Sequence, residues 1–296
     1  MSEKKELYGV IPALITPLTK EKRRDEKLLE RQIIYLKEAG VDGFFINGST
    51  GDGVNLTIEE KIENFKMVKA LAPDTLTCIA ALKPSTEQTI EEIHQFEKLE
   101  PDFVVAVTPF YCSVPQNAIV EHFKKIALST ELPLILYNIP QCTQNKIEYS
   151  TLIELSKIKN IAAIKDSSGD FSTFSRWLYM NLNRDINLIQ GEDLLDAPSL
   201  ILGGNGIVTG MGNVLIEPYV AMLRAAKAKN WVQVNEMQKR INKLYEIVDA
   251  VNGKVIPAIK AGTYLLGRGS LYAKTAGLEL DTEEIDRVEK VLKGIL

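Results

Sequence analysis

The stretch Asn160-Ile-Ala-Ala-Ile-Lys165-Asp-Ser-Ser-Gly-Asp170 sets a lysine directly after an apolar run and directly before turn-forming residues. A short apolar run of this kind reads as a strand buried on both faces, with Lys165 at its carboxyl end. Burial disfavours an ammonium ion, and a neutral amine can add to a ketone to form a Schiff base. Tyr137 ends another apolar run and brings a phenol suited to proton transfer. Tyr111 stands among prolines, and Gly48-Ser49-Thr50-Gly51 offers backbone N–H groups and two hydroxyls to a carboxylate. Each feature also has a plainer reading: a snorkelling lysine, a core tyrosine with a satisfied hydroxyl, a surface aromatic, a helix-capping turn. Taken together they suit a 2-oxo acid.

The elements that must position these groups alternate regularly. Strands are expected over residues 8–16, 41–47, 75–81, 102–108, 133–137, 161–165, 186–190 and 206–209. Helices are expected over 27–39, 58–71, 86–99, 117–129, 150–157, 171–180 and 217–229, with a short one ending at 202. Pro12 conflicts with the first strand. Residues Ile62, Phe65, Val68 and Leu71 form the apolar stripe of the second helix. Eight strand–helix units are the count of a (β/α)8 barrel, although alternation alone also fits an open doubly wound sheet. No Gly-x-Gly-x-x-Gly follows the first strand and no Walker-type loop occurs. After residue 230 the pattern is helical only. The expected organisation is an α/β (β/α)8 TIM barrel over 1–230 with a small C-terminal helical domain over 231–296. There, Trp231, Val234, Met237, Ile241, Leu244, Val248 and Val251 share one stripe, and Asp281-Thr-Glu-Glu opens the last helix.

Composition narrows the function. The chain has 296 residues and a net charge of -4, with a pI near 5.5, so it carries no basic footprint for nucleic acid. No apolar run is long enough to span a bilayer. The opening Met-Ser-Glu-Lys-Lys-Glu-Leu has no signal-peptide core, and a cytoplasmic location is expected. The 3 cysteines, Cys78, Cys112 and Cys142, are scattered, which fits a reducing compartment. His94 and His122 show no ligand spacing, so no metal site is expected.

The motifs Gly48-Ser-Thr-Gly-Asp52, Tyr137-Asn-Ile-Pro140 and Ile164-Lys165-Asp-Ser-Ser168 resemble those of the dihydrodipicolinate synthase/N-acetylneuraminate lyase family, in the same order and over nearly the whole chain. The resemblance implies a barrel with C-terminal helices, a homotetramer built as a dimer of dimers, and pyruvate chemistry through a Schiff base without metal or organic cofactor. It implies that Lys165 forms the Schiff base and that Tyr137 shuttles the proton. Ser49 and Thr50 would grip the carboxylate, with Gly48 in the same turn. Ser49 would link Tyr137 to Tyr111, which reaches in from a neighbouring subunit. Proline in the first strand is also a family habit.

Two branches of the family fit less well. The synthase branch carries arginine two residues after the proline of its Tyr-Asn-x-Pro motif, where this chain has Cys142. A thiol cannot bind a second carboxylate as a guanidinium does. The sialic acid lyase branch carries Gly-x-Asp-Glu, where this chain reads Gly191-Glu-Asp193-Leu194. The remaining pattern resembles the 2-keto-3-deoxygluconate aldolases, with Ser167, Gly191, Asp193 and Thr209 suited to a polyhydroxylated tail. The expected reaction is reversible cleavage of a 2-oxo-3-deoxy sugar acid to pyruvate and an aldehyde. The alternatives are 4-hydroxy-tetrahydrodipicolinate synthase, N-acetylneuraminate lyase, and a non-catalytic 2-oxo-acid-binding regulator. A phosphosugar isomerase would need a phosphate loop, for which Gly203-Gly-Asn-Gly206 is the candidate.

Overall fold

The computed structural model describes residues 5–179 and 186–296. The opening residues read above for a leader therefore begin outside the described residues, as does Met180, the expected end of one helix.

The strands are β1 (Gly9–Pro12), β2 (Gly43–Ile46), β3 (Leu76–Ala81), β4 (Phe103–Val107), β5 (Leu134–Asn138), β6 (Ile161–Asp166), β7 (Asn187–Gln190) and β8 (Gly206–Thr209). They form an 8-stranded sheet in the order β1-β8-β7-β6-β5-β4-β3-β2, and a parallel bridge joins Ala13 to Phe45. This is the (β/α)8 barrel that the alternation suggested, not an open sheet. Its strands are buried nearly throughout, as parallel strands with both faces covered must be. The strand accommodates Pro12 at its last residue, where the missing N–H costs one ladder bond, and pairing resumes beyond it as Ala13 N donates to the Thr209 carbonyl (2.8 Å) and Leu14 N to that of Phe45 (3.0 Å).

The chain divides into two compact units, Met1–Gly9 with Leu76–Val208, and Val10–Thr75 with Thr209–Leu296. The first holds β3 to β7 and β8 up to Val208, with helices α3 (Thr86–Glu97), α4 (Gln116–Ser129), α5 (Pro140–Thr143), α6 (Tyr149–Leu155), α7 (Phe171–Tyr179) and α8 (Asp196–Ile201). Its ladders are parallel from β3 to β8. The short α5 was not expected from the sequence. Pro140 at its start supplies a helical φ, and Gln144 in a left-handed conformation ends it after one turn.

The second unit holds α1 (Glu26–Glu38), β2, α2 (Ile58–Leu71), α9 (Glu217–Lys227), α10 (Trp231–Asp249), α11 (Val255–Leu265) and α12 (Thr282–Lys293). Thr57 and Glu60 cap α2 reciprocally, and Asp281 and Glu284 do the same for α12. The expected stripe of α10 is buried from Val234 to Val248, whereas Trp231 in its first turn is 39% exposed. The α2 stripe differs more. Phe65 and Val68 are buried, but so are Lys61 and Asn64, while Ile62 and Leu71 are half-buried. Asn64 Nδ2 donates to Asn47 Oδ1 (3.0 Å) and Thr16 Oγ1 (3.2 Å), and Asn47 Nδ2 donates to the Lys61 carbonyl (3.1 Å). Partners remote in sequence thus make a polar helix face the inner one.

Candidate active site

In the first unit, the β5–β6 register pairs Tyr137 with Lys165 and Asn138 with Asp166. Lys165 is 4% exposed and Tyr137 3%. The Lys165 Nζ lies 4.1 Å from the centroid of the Tyr137 ring. The lysine therefore does not snorkel to water. Its amine is held at the end of a buried strand, against the aromatic face that carries the phenol.

Gly191, which follows β7, leaves the room that the lysine stem occupies. A Cβ at this position would stand 2.9 Å from Lys165 Cε and 2.3 Å from Ser167 Oγ. Gly191 N donates to the Asp166 carbonyl (2.8 Å), and Ser167 Oγ donates to the Gly191 carbonyl (3.0 Å). Gln141 of α5 donates from Nε2 to the Ser167 carbonyl (2.5 Å). Lys165, Tyr137, Ser167 and Gly191 are thus brought together, as their sequence positions suggested.

Acidic groups gather at the end of β6 and after β7. Asp193 is buried, Asp196 fully so, and Glu192 is half-buried. Burial, then the Asp193 and Asp166 charges, push Glu192 up to about 7. Burial, then Asp193 and Glu192, push Asp196 well above the carboxylate range. Burial also raises Asp166 to about 6, against hydrogen bonds from Asn138 and Ser168 that favour its ionised form. Cys142 is exposed, and its thiol is pushed up by partial burial, with Lys165 pulling it down.

Tyr111 stands apart. It is 87% exposed, with φ at 78°. Its loop is braced, because Asn145 Nδ2 donates to the carbonyls of Pro109 (2.7 Å) and Cys112 (2.8 Å).

In the second unit, Ser49–Gly51 form one 3-10 turn after β2. Gly51 N and Gly53 N donate to the Gly48 carbonyl, and Asp52 N donates to that of Ser49. The turn spends these N–H groups on itself, which narrows the expected carboxylate cradle to the half-buried Ser49 and Thr50. Glycine is required at position 48, because a Cβ there would press 2.7 Å against the Phe45 ring. Thr209, at the end of β8, is 1% exposed and its Oγ1 accepts from Gly212 N at 2.8 Å.

Sequence reasoning missed Lys260. It is 2% exposed in α11, its Nζ stands 3.6 Å from Asp52 Oδ2, and it donates to the Tyr272 carbonyl at 3.0 Å. Burial lowers its pKa and the Asp52 charge opposes that shift. The readable signal was a lysine inside the apolar run Val255-Ile-Pro-Ala-Ile-Lys-Ala261. The pair fixes Asp52, and with it the end of the Ser49–Gly51 turn. Among the described residues no cluster of His, Cys, Asp or Glu could hold a metal ion, and no helix is long and apolar enough to cross a membrane.

Residues 6–295 match the Dihydrodipicolinate synthetase family. A 4-hydroxy-tetrahydrodipicolinate synthase from Moorella thermoacetica is 31% identical over 285 residues, covering 96% of this chain and 97% of its own. One of the same name from Methanosarcina barkeri is 30% identical over 287 residues, covering 96% and 98%. The crystal structure of dihydrodipicolinate synthase from Aquifex aeolicus superposes with a TM-score of 0.90 at 25% identity, covering 97% of this chain and 98% of that one. The chain belongs to the dihydrodipicolinate synthetase family, whose members are pyruvate-dependent carbon–carbon lyases.

Proposed function

We propose that Lys165 condenses with the 2-oxo group of pyruvate and that the enzyme makes or breaks a bond at the pyruvate methyl carbon. The observation that carries this reading is the buried Lys165 amine 4.1 Å from the Tyr137 ring. The amine adds to the ketone, water leaves, and the resulting protonated imine acts as an electron sink. Loss of a C3 proton gives an enamine. The enamine attacks an aldehyde carbonyl, and Tyr137 delivers the proton that turns the new alkoxide into a hydroxyl. Water then hydrolyses the imine and frees the lysine. In reverse, Tyr137 takes the hydroxyl proton as the C3–C4 bond breaks, and pyruvate is released. No step needs a redox partner.

The family resemblance supports the other roles. Ser49 and Thr50 receive the pyruvate carboxylate from the turn that begins at Gly48, and Ser49 relays between Tyr137 and Tyr111. Ser167, Gly191, Asp193 and Thr209 serve the substrate. The exposure of Tyr111 agrees with a role toward a neighbouring subunit, and a homotetramer working in the cytoplasm is part of this reading.

For the aldehyde, the relatives' names favour aspartate semialdehyde, and so the 4-hydroxy-tetrahydrodipicolinate synthase activity. That support outweighs the motif-based reading of sugar-acid cleavage. One observation favours the second reading: Cys142 replaces the family's arginine, and Glu192 and Asp193 follow β7. An acceptor with a second carboxylate meets carboxylates there and no guanidinium. Pyruvate consumption with aspartate semialdehyde, measured beside pyruvate release from 2-keto-3-deoxygluconate, separates the two. A higher kcat/KM with the semialdehyde supports the synthase, and the opposite order supports the sugar-acid lyase.

A further inference from the structure

We propose that the hydrogen-bonded pair Asn138–Asp166 is a positioning clamp that holds Tyr137 and Lys165 in reacting register, a role that rests on the assignment of Lys165 as the Schiff-base lysine. The two pairs are consecutive in one ladder, Tyr137 with Lys165 and then Asn138 with Asp166. Successive side chains of a strand point to opposite faces. The lysine and phenol therefore share one face, and the amide and carboxyl share the other.

On that other face Asn138 Nδ2 donates to Asp166 Oδ1 at 2.6 Å. Asn138 is 0% exposed and Asp166 2%. The remaining polar atoms are engaged as well. Asn138 Oδ1 accepts from Ile147 N (2.9 Å), and Asp166 Oδ2 accepts from Ser168 Oγ (3.1 Å). The backbones are tied as well: Ser167 N donates to the Asn138 carbonyl (2.9 Å), joining β6 to β5, and Gly191 N to that of Asp166 (2.8 Å), joining the end of β7 to β6.

The place of the pair suggests its purpose. The ladder ends at residues 138 and 166, one position beyond the reacting couple, where strand ends otherwise fray. A buried carboxylate is costly, and an apolar pair would pack this face with less penalty. What a charged, directional bond adds is a fixed separation between the strand ends. A displacement of about 1 Å can cost a reaction on the order of a hundredfold in rate. Asp166 touches no reacting atom in this scheme. It acts through Lys165, as Asn138 acts through Tyr137.

The test is the rate at which pyruvate and borohydride modify the protein, read with kcat and KM. Asn138→Asp sets two carboxyls against each other. It should slow trapping and lower kcat at least tenfold, with the pyruvate KM within threefold. The swap Asn138→Asp/Asp166→Asn restores one amide and one carboxylate, still serves Ile147 N and Ser168 Oγ, gives up only the 3.4 Å bond from Ser168 N, and should return to within threefold of the parent. Wild-type rates in Asn138→Asp, or a swap as slow as the single variant, would overturn the clamp. Should Asn138→Asp fail to fold, Ser168→Ala decides, since it withdraws one donor from the same carboxylate at a half-buried position, along with the acceptor of Asp170 N. A two- to fivefold slower trapping is expected from it, and an unchanged rate would overturn the proposal. No adduct in the parent protein would remove the Lys165 assignment itself, a result distinct from failure of the swap.

Discussion

Lys165 and Tyr137 are direct neighbours in the β5–β6 ladder, and the amine of one stands 4.1 Å from the ring centroid of the other. The proposed nucleophile and proton carrier thus come from adjacent strand ends, on elements that packing fixes before any substrate arrives. A site built on strands holds its geometry more tightly than one on loops.

The phenol is the proton carrier in this account. Tyr137→Phe keeps the ring beside the lysine and removes only the hydroxyl. Turnover should fall about 10²- to 10⁴-fold, the usual worth of a positioned acid–base group. Steady-state kinetics would show the loss in kcat more than in the pyruvate KM. A loss confined to KM would instead make Tyr137 a binding group.

Gly191 tests the space around the lysine stem. Gly191→Ala brings a methyl within 2.9 Å of Lys165 Cε and 2.3 Å of Ser167 Oγ. Overpacking of this kind costs about 1–3 kcal/mol. Urea unfolding should register that loss, and the variant should trap pyruvate poorly. A variant as stable and as reactive as the parent would show that the stem has room to move.

The acids at the end of β6 and after β7 predict a pH trend in stability. Asp166 is raised from 3.8 to about 6 and Glu192 from 4.5 to about 7. The folded state therefore holds more protons than the unfolded chain between these values. By linkage, unfolding free energy falls as pH rises through that window, from pH 4 to pH 7. Within the window His122, lowered to about 4 by burial, opposes the two acids, and Asp170 and Asp102, whose pKa values are lowered, act with the same opposing sign below it. Glu192→Gln should flatten the decline between pH 5 and 7.5 in denaturant titrations. Equal slopes for parent and variant would contradict the assignment.

The fold was readable because its strands are short apolar runs closed by turn residues, and because helix capping signals such as Asp281 and Glu284 are local. Lys165 and Tyr137 were readable for the same reason, each standing where an apolar run ends. The inward face of Asn64 was not, since its burial depends on Asn47 and Thr16, outside the helix. Lys260 escaped because its partner Asp52 lies far away in sequence. The α5 turn was hidden by its length, a single turn after Pro140. Periodicity reports which face is apolar, and it is silent where a distant polar partner reverses that choice.

Cys142 offers a direct handle on acceptor choice. Cys142→Arg restores the guanidinium of the family's synthase branch. A charge-assisted hydrogen bond contributes about 1.5–3 kcal/mol, so kcat/KM for aspartate semialdehyde should rise about ten- to a hundredfold. Coupled assays of semialdehyde use, beside pyruvate trapping as a control, would read the change. A rise in trapping with pyruvate alone would point to an effect on Lys165 instead.

The lysine adduct is the most direct test of the whole account. The protein would be incubated with pyruvate, reduced with borohydride, digested, and searched by mass spectrometry for the modified peptide. A reduced pyruvate adduct on Lys165, absent from Lys165→Ala, is the predicted result. An unmodified Lys165 peptide, or an adduct on another lysine, would contradict the account.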